Sequence, residues 1–187
     1  MSVYPSLPPR ASLEDLFRHF PTGVAPLMQL HDELLRSDGP LSVGERELIA
    51  AYVSVLNACE YCFGAHRTMA IAFGVDPDLI DALVKDFDAA PVEPKMRALL
   101  SYAAKVTRRE SILPSDMRAI LDTGGTEEMA HITLMTASLY NLMNRVVDGA
   151  GLSAKLSYET PDSTELQRKR ESNYTNWGRR AGFLPPA

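Results

Sequence analysis

Helix-start signals recur along this chain, while the apolar–polar alternation of β-strands is nearly absent. Ser12 can cap a short helix through Phe20. A second helical pattern runs from Val24 to Arg36 and stops at the turn residues Ser37-Asp38-Gly39-Pro40. Ser42 with Glu45 makes a capping box ahead of an apolar face formed by Leu48, Ile49, Tyr52, Val53 and Leu56. Asn57 with Glu60 predicts a cap for the next helix, which Gly74 ends. Asp76-Pro77 pairs an N-cap with proline at the first helical position, for a helix ending near Phe87. Helical spacing continues from Pro94 to about Arg108, and Pro114 opens a short helix closed by Gly124-Gly125. Thr126 then caps a long helix to about Val147, ahead of Gly149 and Gly151. The chain is therefore expected to be all-α. Two segments, AIAFGVDPDLIDAL and AILDTGGTEEMAHI, echo each other weakly, as duplicated helical hairpins would.

A length of 187 residues favours one domain. Its expected parts are an extended arm over 1–11, a helical domain over 12–151 and a tail over 152–187. The tail is polar, with a basic cluster at Gln167-Arg168-Lys169-Arg170 that reads as a solvated helix face or an interface contact. Tyr158, Tyr174, Trp177 and Phe183 punctuate it. Disordered segments are poorer in aromatics, so the tail is expected to dock on its own domain or on a neighbouring subunit. No run of about 18 apolar residues exists, which argues against a membrane span. The N-terminal MSVYPSLPPR has prolines where a signal peptide has an apolar stretch, so a cytoplasmic protein is expected. A net charge of -5 argues against bulk nucleic-acid binding. No motif for a nucleotide, flavin or haem is present, and no cofactor is expected.

Chemistry concentrates in Cys59-Glu60-Tyr61-Cys62-Phe63-Gly64-Ala65-His66, which holds both cysteines of the chain. This spacing points to redox chemistry or metal binding. On a helix Cys59 and Cys62 stand about 60° apart and Cys62 and His66 about 40° apart, so the three side chains share one stripe. With Asn57 as the cap, Cys59 falls in the first turn, where the positive end of the dipole favours a thiolate. His66 can take or hold a thiol proton. Glu47 lies on the preceding helix and reaches the same place if the two helices pack as a hairpin. Buried structural thiols and a zinc site built from Cys59, Cys62, His66 and Glu47 are the rival readings. His131, on the long helix, is either a packed or partly exposed histidine or an accessory group facing the site. His19 and His31 have no evident partners. Leu27, Met28 and Met69 read as core or as pocket lining, and Arg145 as structural.

Glu47, followed by Cys59-x-x-Cys62-x-x-x-His66, resembles the pattern of the AhpD-like alkylhydroperoxidase branch of the carboxymuconolactone decarboxylase superfamily. The stretch RELIAAYVSVLNACEYCFGAH is similar to its uncharacterised peroxidase-related group. The similarity extends over about residues 13–151, through the helix bearing Asn141, Asn144 and Arg145, and leaves the tail uncovered. The resemblance implies a helical fold and a cysteine-based peroxidase acting on organic hydroperoxides or hydrogen peroxide. Cys62 would attack the peroxide, Cys59 would resolve it as a Cys59–Cys62 disulfide, Glu47 and His66 would relay protons, and a dithiol would reduce the bridge. The helix-end argument by itself favours Cys59 as the more acidic thiol; the resemblance assigns attack to Cys62. Classical members have a histidine where Tyr61 stands, and a phenol is a poor base near neutral pH, so Tyr61 is an accessory candidate. Homo-oligomers, commonly trimers or hexamers, are also implied. The alternatives are a thiol–disulfide oxidoreductase or redox sensor, and a non-enzymatic metal-binding helical module.

Overall fold

The computed structural model describes residues 2–152 and 162–186; the expected tail aromatic Tyr158 lies outside them. The described residues form ten helices and no strand, which bears out the all-α expectation. The first eight are α1 (Leu13–His19), α2 (Val24–Arg36), α3 (Val43–Leu56), α4 (Glu60–Ala72), α5 (Pro77–Lys85), α6 (Pro94–Arg108), α7 (Pro114–Asp122) and α8 (Glu127–Gly149). The tail adds α9 (Ser163–Arg170) and α10 (Tyr174–Arg180).

Local chemistry sets these boundaries. At α3, Ser42 Oγ accepts from the Glu45 N–H at 3.2 Å, and the Glu45 carboxylate accepts from the Ser42 N–H at 2.7 Å. Asp76 accepts from the Asp78 N–H at 2.9 Å ahead of Pro77, and Thr126 from the Met129 N–H at 3.1 Å. Two orphan donors of each helix end are thereby accounted for, or one where only a single cap bond forms.

α3 is the axis of the fold. It is buried along its length from Gly44 to Ser54 and packs against α4, α6 and α8. Gly44 permits the closest approach in that packing: a Cβ there would stand 2.8 Å from the Phe73 carbonyl oxygen at the end of α4. That contact draws α3 and α4 into a tight antiparallel hairpin and brings Glu47 opposite His66.

Residues 2–11 do not run extended. Pro5 occupies a turn closed by the Leu7 N–H on the Tyr4 carbonyl at 3.1 Å, and Ser2 N–H reaches Pro9 O at 3.0 Å. Proline's fixed φ suits the second position of such a turn. Leu7 and Ala11 enter the same buried core as Tyr174 and Phe183 from the other end of the chain.

α10 sits on α2, and α9 on α4. The Asp32 carboxylate accepts from the Tyr174 N–H at 2.6 Å and the Thr175 N–H at 3.0 Å, so a side chain of α2 receives the free donors at the start of α10. Trp177 Nε1 donates to Glu14 at 2.9 Å, and Phe183 meets the Phe17 and Trp177 rings edge-on. In the basic cluster, Arg170 donates to the Ala72 carbonyl at the end of α4, while Arg168 and Lys169 face a cavity, so this run is no purely solvated face.

Candidate active site

The site begins at the turn between α3 and α4. The Cys59 N–H bonds the Ser54 carbonyl at 2.9 Å and the Ala58 N–H bonds the Val55 carbonyl at 2.9 Å, with Ala58 left-handed at φ 55°. This is a Schellman motif with alanine where glycine is usual. Asn57 does not cap α4. It ends α3, and its side-chain amide donates to Asn141 at 3.0 Å and Asn144 at 2.8 Å on α8. The residue before the first turn of α4 is Cys59 itself, and Cys62 is the third residue of the helix.

The helix thus starts two residues later than expected, with Cys59 at its cap and Cys62 in its first turn. Cys59 lies outside the helix and is 1% exposed, so the single stripe expected for Cys59, Cys62 and His66 loses its first member. Cys62 and His66 keep their helical spacing and together line a cavity of about 190 Å³. Both cysteines are free thiols. A hydrogen bond to Cys62, followed by burial, pushes the Cys59 thiol well above its ordinary range.

Behind His66 lies Glu47, with no exposed surface. His66 Nδ1 and Glu47 Oε2 are 2.6 Å apart. Arg36 Nη1 donates to Glu47 Oε1 at 2.5 Å, and the Tyr174 hydroxyl donates to the same oxygen at 3.2 Å. Burial opposes ionisation of Glu47, but the Arg36 charge and His66 outweigh it and hold the carboxyl at about 2. Arg36 lies between the Phe73 and Tyr174 rings, 5.0 and 4.9 Å from their centroids. With Nδ1 engaged, the His66 nitrogen left for the cavity is Nε2. The Tyr140 ring meets the imidazole edge-on at 4.3 Å and fixes its plane.

The cavity wall is drawn from distant parts of the chain. Met28, Met69 and Met143 supply apolar surface, and α9 and α10 close one side with Tyr174 and Trp177. His31 is buried here too, its Nδ1–H given to the Leu27 carbonyl at 2.8 Å and its ring against Tyr174. Burial drops its pKa to about 4, so it is neutral at physiological pH. Tyr61 lines the cavity. His131 stands exposed on α8 and takes no part in the lining. Arg145 is exposed and bonds back to the Asn141 carbonyl.

Arg36, Tyr140 and Tyr174 are the members that sequence reasoning missed. Arg36 ends α2 eleven residues before Glu47, and nothing in helical periodicity marks an arginine as buried. The aromatic content of the tail was the only signal for Tyr174. Among the described residues no group of three or more His, Cys, Asp or Glu side chains is arranged to hold a metal ion. The carboxylate of the expected zinc set is engaged by Arg36 and His66. No helix among the described residues is long and apolar enough to cross a membrane.

The carboxymuconolactone decarboxylase family profile matches residues 21–105, which include Glu47, both cysteines and His66. No curated protein matches significantly. Among solved structures, the AhpD-core peroxidase-related protein of Ralstonia eutropha JMP134 is 28% identical, with a TM-score of 0.72 over 77% of this chain and 76% of that one. An uncharacterised peroxidase-related protein of Silicibacter sp. TM1040 is 26% identical, with a TM-score of 0.70 over 78% of each chain. A protein of unknown function from Agrobacterium tumefaciens shares the fold at 19% identity and a TM-score of 0.67, over 76% of this chain and 97% of that one. The helical fold, the profile match across the CxxC hairpin and the two peroxidase-related structures agree: the chain is similar to the AhpD-like carboxymuconolactone decarboxylase superfamily.

Proposed function

We propose that this chain is a cysteine-based peroxidase that reduces organic hydroperoxides or hydrogen peroxide. The observation that carries the reading is the order of groups at the cavity: Cys62 and His66 on the wall, Glu47 behind His66, and Cys59 buried behind Cys62. The Cys62 thiolate attacks the terminal oxygen of ROOH. The O–O bond breaks, a proton from His66 joins the departing RO⁻, and Cys62 becomes a sulfenic acid. The Cys59 thiol, which stays protonated until it reacts, attacks that sulfur. Water leaves and a Cys59–Cys62 disulfide remains. A dithiol donor then reduces the bridge by exchange and is itself oxidised to a disulfide. Glu47 holds the imidazole by Nδ1, so that Nε2 can cycle a proton at the cavity. The same reading places the protein in the cytoplasm, where dithiol donors are available, as a trimer or hexamer.

The test is the intact mass of reduced protein after one equivalent of cumene hydroperoxide. A rapid loss of two hydrogens, mapped to Cys59–Cys62, is expected. Cys59→Ser should stop at a gain of one oxygen on Cys62, and Cys62→Ser should consume no peroxide. His66→Gln should slow oxidation by about 10²-fold. An unchanged wild-type mass, or full turnover by Cys62→Ser, would overturn the assignment.

A further inference from the structure

The two thiols meet different surroundings. Cys62 lies on the cavity wall beside Met143 and Val147 of α8, whereas Cys59 is buried and does not reach that wall. In the dithiol cycle Cys59 must still give up a proton when it bonds Cys62 and regain one when the bridge opens. A group on its other side has to carry that proton, and α8 supplies one. Asn141 and Asn144 both accept from the Asn57 side-chain amide, and Asn144 donates to Ser54 Oγ at 3.1 Å. The Ser54 carbonyl in turn holds the Cys59 N–H. Asn141, Asn144 and Asp148 follow one another at three and four residues and share one stripe of α8. The stripe that seats the turn thus presents Asp148 to Cys59, and the Asp148 carboxylate accepts a hydrogen bond from the Cys59 thiol. The helix end is fixed too: the Gly151 N–H bonds the Asp148 carbonyl at 3.0 Å, and the Val3 N–H bonds the Ala150 carbonyl at 3.2 Å. Asp148 is exposed, so it links a sealed thiol to water.

We propose that Asp148 is a further catalytic residue, the base that takes the Cys59 proton as Cys59 attacks Cys62 and the acid that returns it when the bridge is reduced. In the oxidative step the S–S bond forms while the Cys59 S–H and Cys62 S–O bonds break. The thiol proton passes to Asp148, and the hydroxyl leaves as water with a proton taken from the cavity side. A carboxylate suffices as base because the Cys59 sulfur becomes strongly acidic while it bonds a second sulfur. In the reductive step the dithiol donor attacks Cys62, the sulfur on the wall. Cys59 leaves as a thiolate and is protonated by Asp148, which recovers a proton from water; the donor's second thiol then displaces Cys62 and the donor becomes a disulfide. The role deepens the peroxidase reading and rests on its dithiol cycle, but not on peroxide as the oxidant.

The step can be isolated without peroxide by mixing reduced full-length protein with the aryl disulfide dithiobis(nitrobenzoate) in a stopped-flow instrument. Cys62 attacks the reagent and releases one coloured aryl thiolate; Cys59 then attacks the mixed disulfide on Cys62 and releases the second. Cys59→Ser should give one release only, which assigns the first to Cys62. Asp148→Asn keeps the size of the side chain and removes the base. Its first release should run at the wild-type rate and its second about 10²-fold slower. The slowed release should rise about tenfold per pH unit, because hydroxide must now form the thiolate, while the wild-type release stays flat near neutral pH. Asp148→Glu, which keeps a carboxylate, should retain the flat profile. A second release at the wild-type rate in Asp148→Asn overturns the proposal. So does a slow release with a flat profile, or equal slowing of both releases, since either marks displaced thiols rather than a missing base. A steep profile in Asp148→Glu overturns it as well. Both releases as expected, with no oxidation by any hydroperoxide, would leave Asp148 in its role and refute the peroxidase reading instead.

Discussion

Glu47 is a carboxylate without exposed surface in the most buried helix of the fold, and its partners decide how the molecule responds to acid. A buried ion persists only where hydrogen bonds and opposite charge replace water. Arg36, His66 and Tyr174 provide both. Glu47→Gln removes the negative charge and leaves the Arg36 guanidinium buried without it, a loss of about 3–5 kcal/mol. The ordinary carboxyl value is 4.5 and the folded value about 2. The depressed group contributes stability that is complete above the unfolded value and is lost as pH falls toward 2, about 3 kcal/mol in all. His31 acts higher on the scale. Its pKa falls from 6.5 to about 4 because burial disfavours the cation. Above 6.5 it is neutral in both states and costs nothing. As pH falls toward 4 the unfolded chain takes up a proton that the folded chain refuses, and stability declines. Two stages of acid weakening are therefore expected, from about pH 6.5 to 4 and from about pH 4.5 to 2. Urea midpoints measured across this range should show both. His31→Gln should flatten the upper stage and leave the lower; an upper stage of undiminished size in the variant would remove His31 as its cause.

At the scale of elements, the α3–α4 hairpin bears Glu47, both cysteines and His66, and Ala58 is its weak point. A left-handed L-residue costs about 1–2 kcal/mol, and glycine at the same place loses about 0.4–1 kcal/mol of that advantage through the freedom of the unfolded chain. Ala58→Gly is therefore expected to stabilise by up to about 1 kcal/mol, a rise of about 2–4 °C in Tm for a chain of this size. Differential scanning calorimetry reads it, and a lowered Tm would show that the turn is held by something other than its backbone bonds. The same hairpin shows what the sequence could and could not disclose. Ser42 with Glu45, and Asp76 with Pro77, announce their helices because cap and helix are neighbours in the chain. Asn57 misleads for the opposite reason: the group that would cap locally is drawn to Asn141 and Asn144, 84 and 87 residues away. The pairing of Glu47 with His66 was legible because two adjacent helices in a hairpin face each other. Arg36 and Tyr174 were not, since a buried arginine and a hydroxyl 127 residues from its partner leave no periodic trace.

At the scale of the whole molecule, the tail is a wall of the site. α9 and α10 bring Tyr174 to Glu47 and close the cavity beside Cys62. Their attachment is specific: Asp32 accepts two backbone N–H groups of α10, Trp177 bonds Glu14, and Arg170 bonds the end of α4. Burial of Tyr174 and Phe183 adds about 1.5–3 kcal/mol for each. Deleting residues 153–187 should therefore lower Tm and open the cavity. Iodoacetamide should then alkylate Cys62 at least about tenfold faster at equal pH, because access to the thiolate governs its reactivity. Asp32→Ala offers a milder version with the chain complete. It removes the acceptor for two N–H groups at a helix start, should cost about 1–3 kcal/mol, and should accelerate alkylation in the same direction by loosening α10. Labelling of Cys62 at the wild-type rate in both proteins would mean that the tail does not control entry. Faster labelling in both, with Cys59 still slow, would tie access at Cys62 to the seating of α10 and leave Cys59 buried within the hairpin.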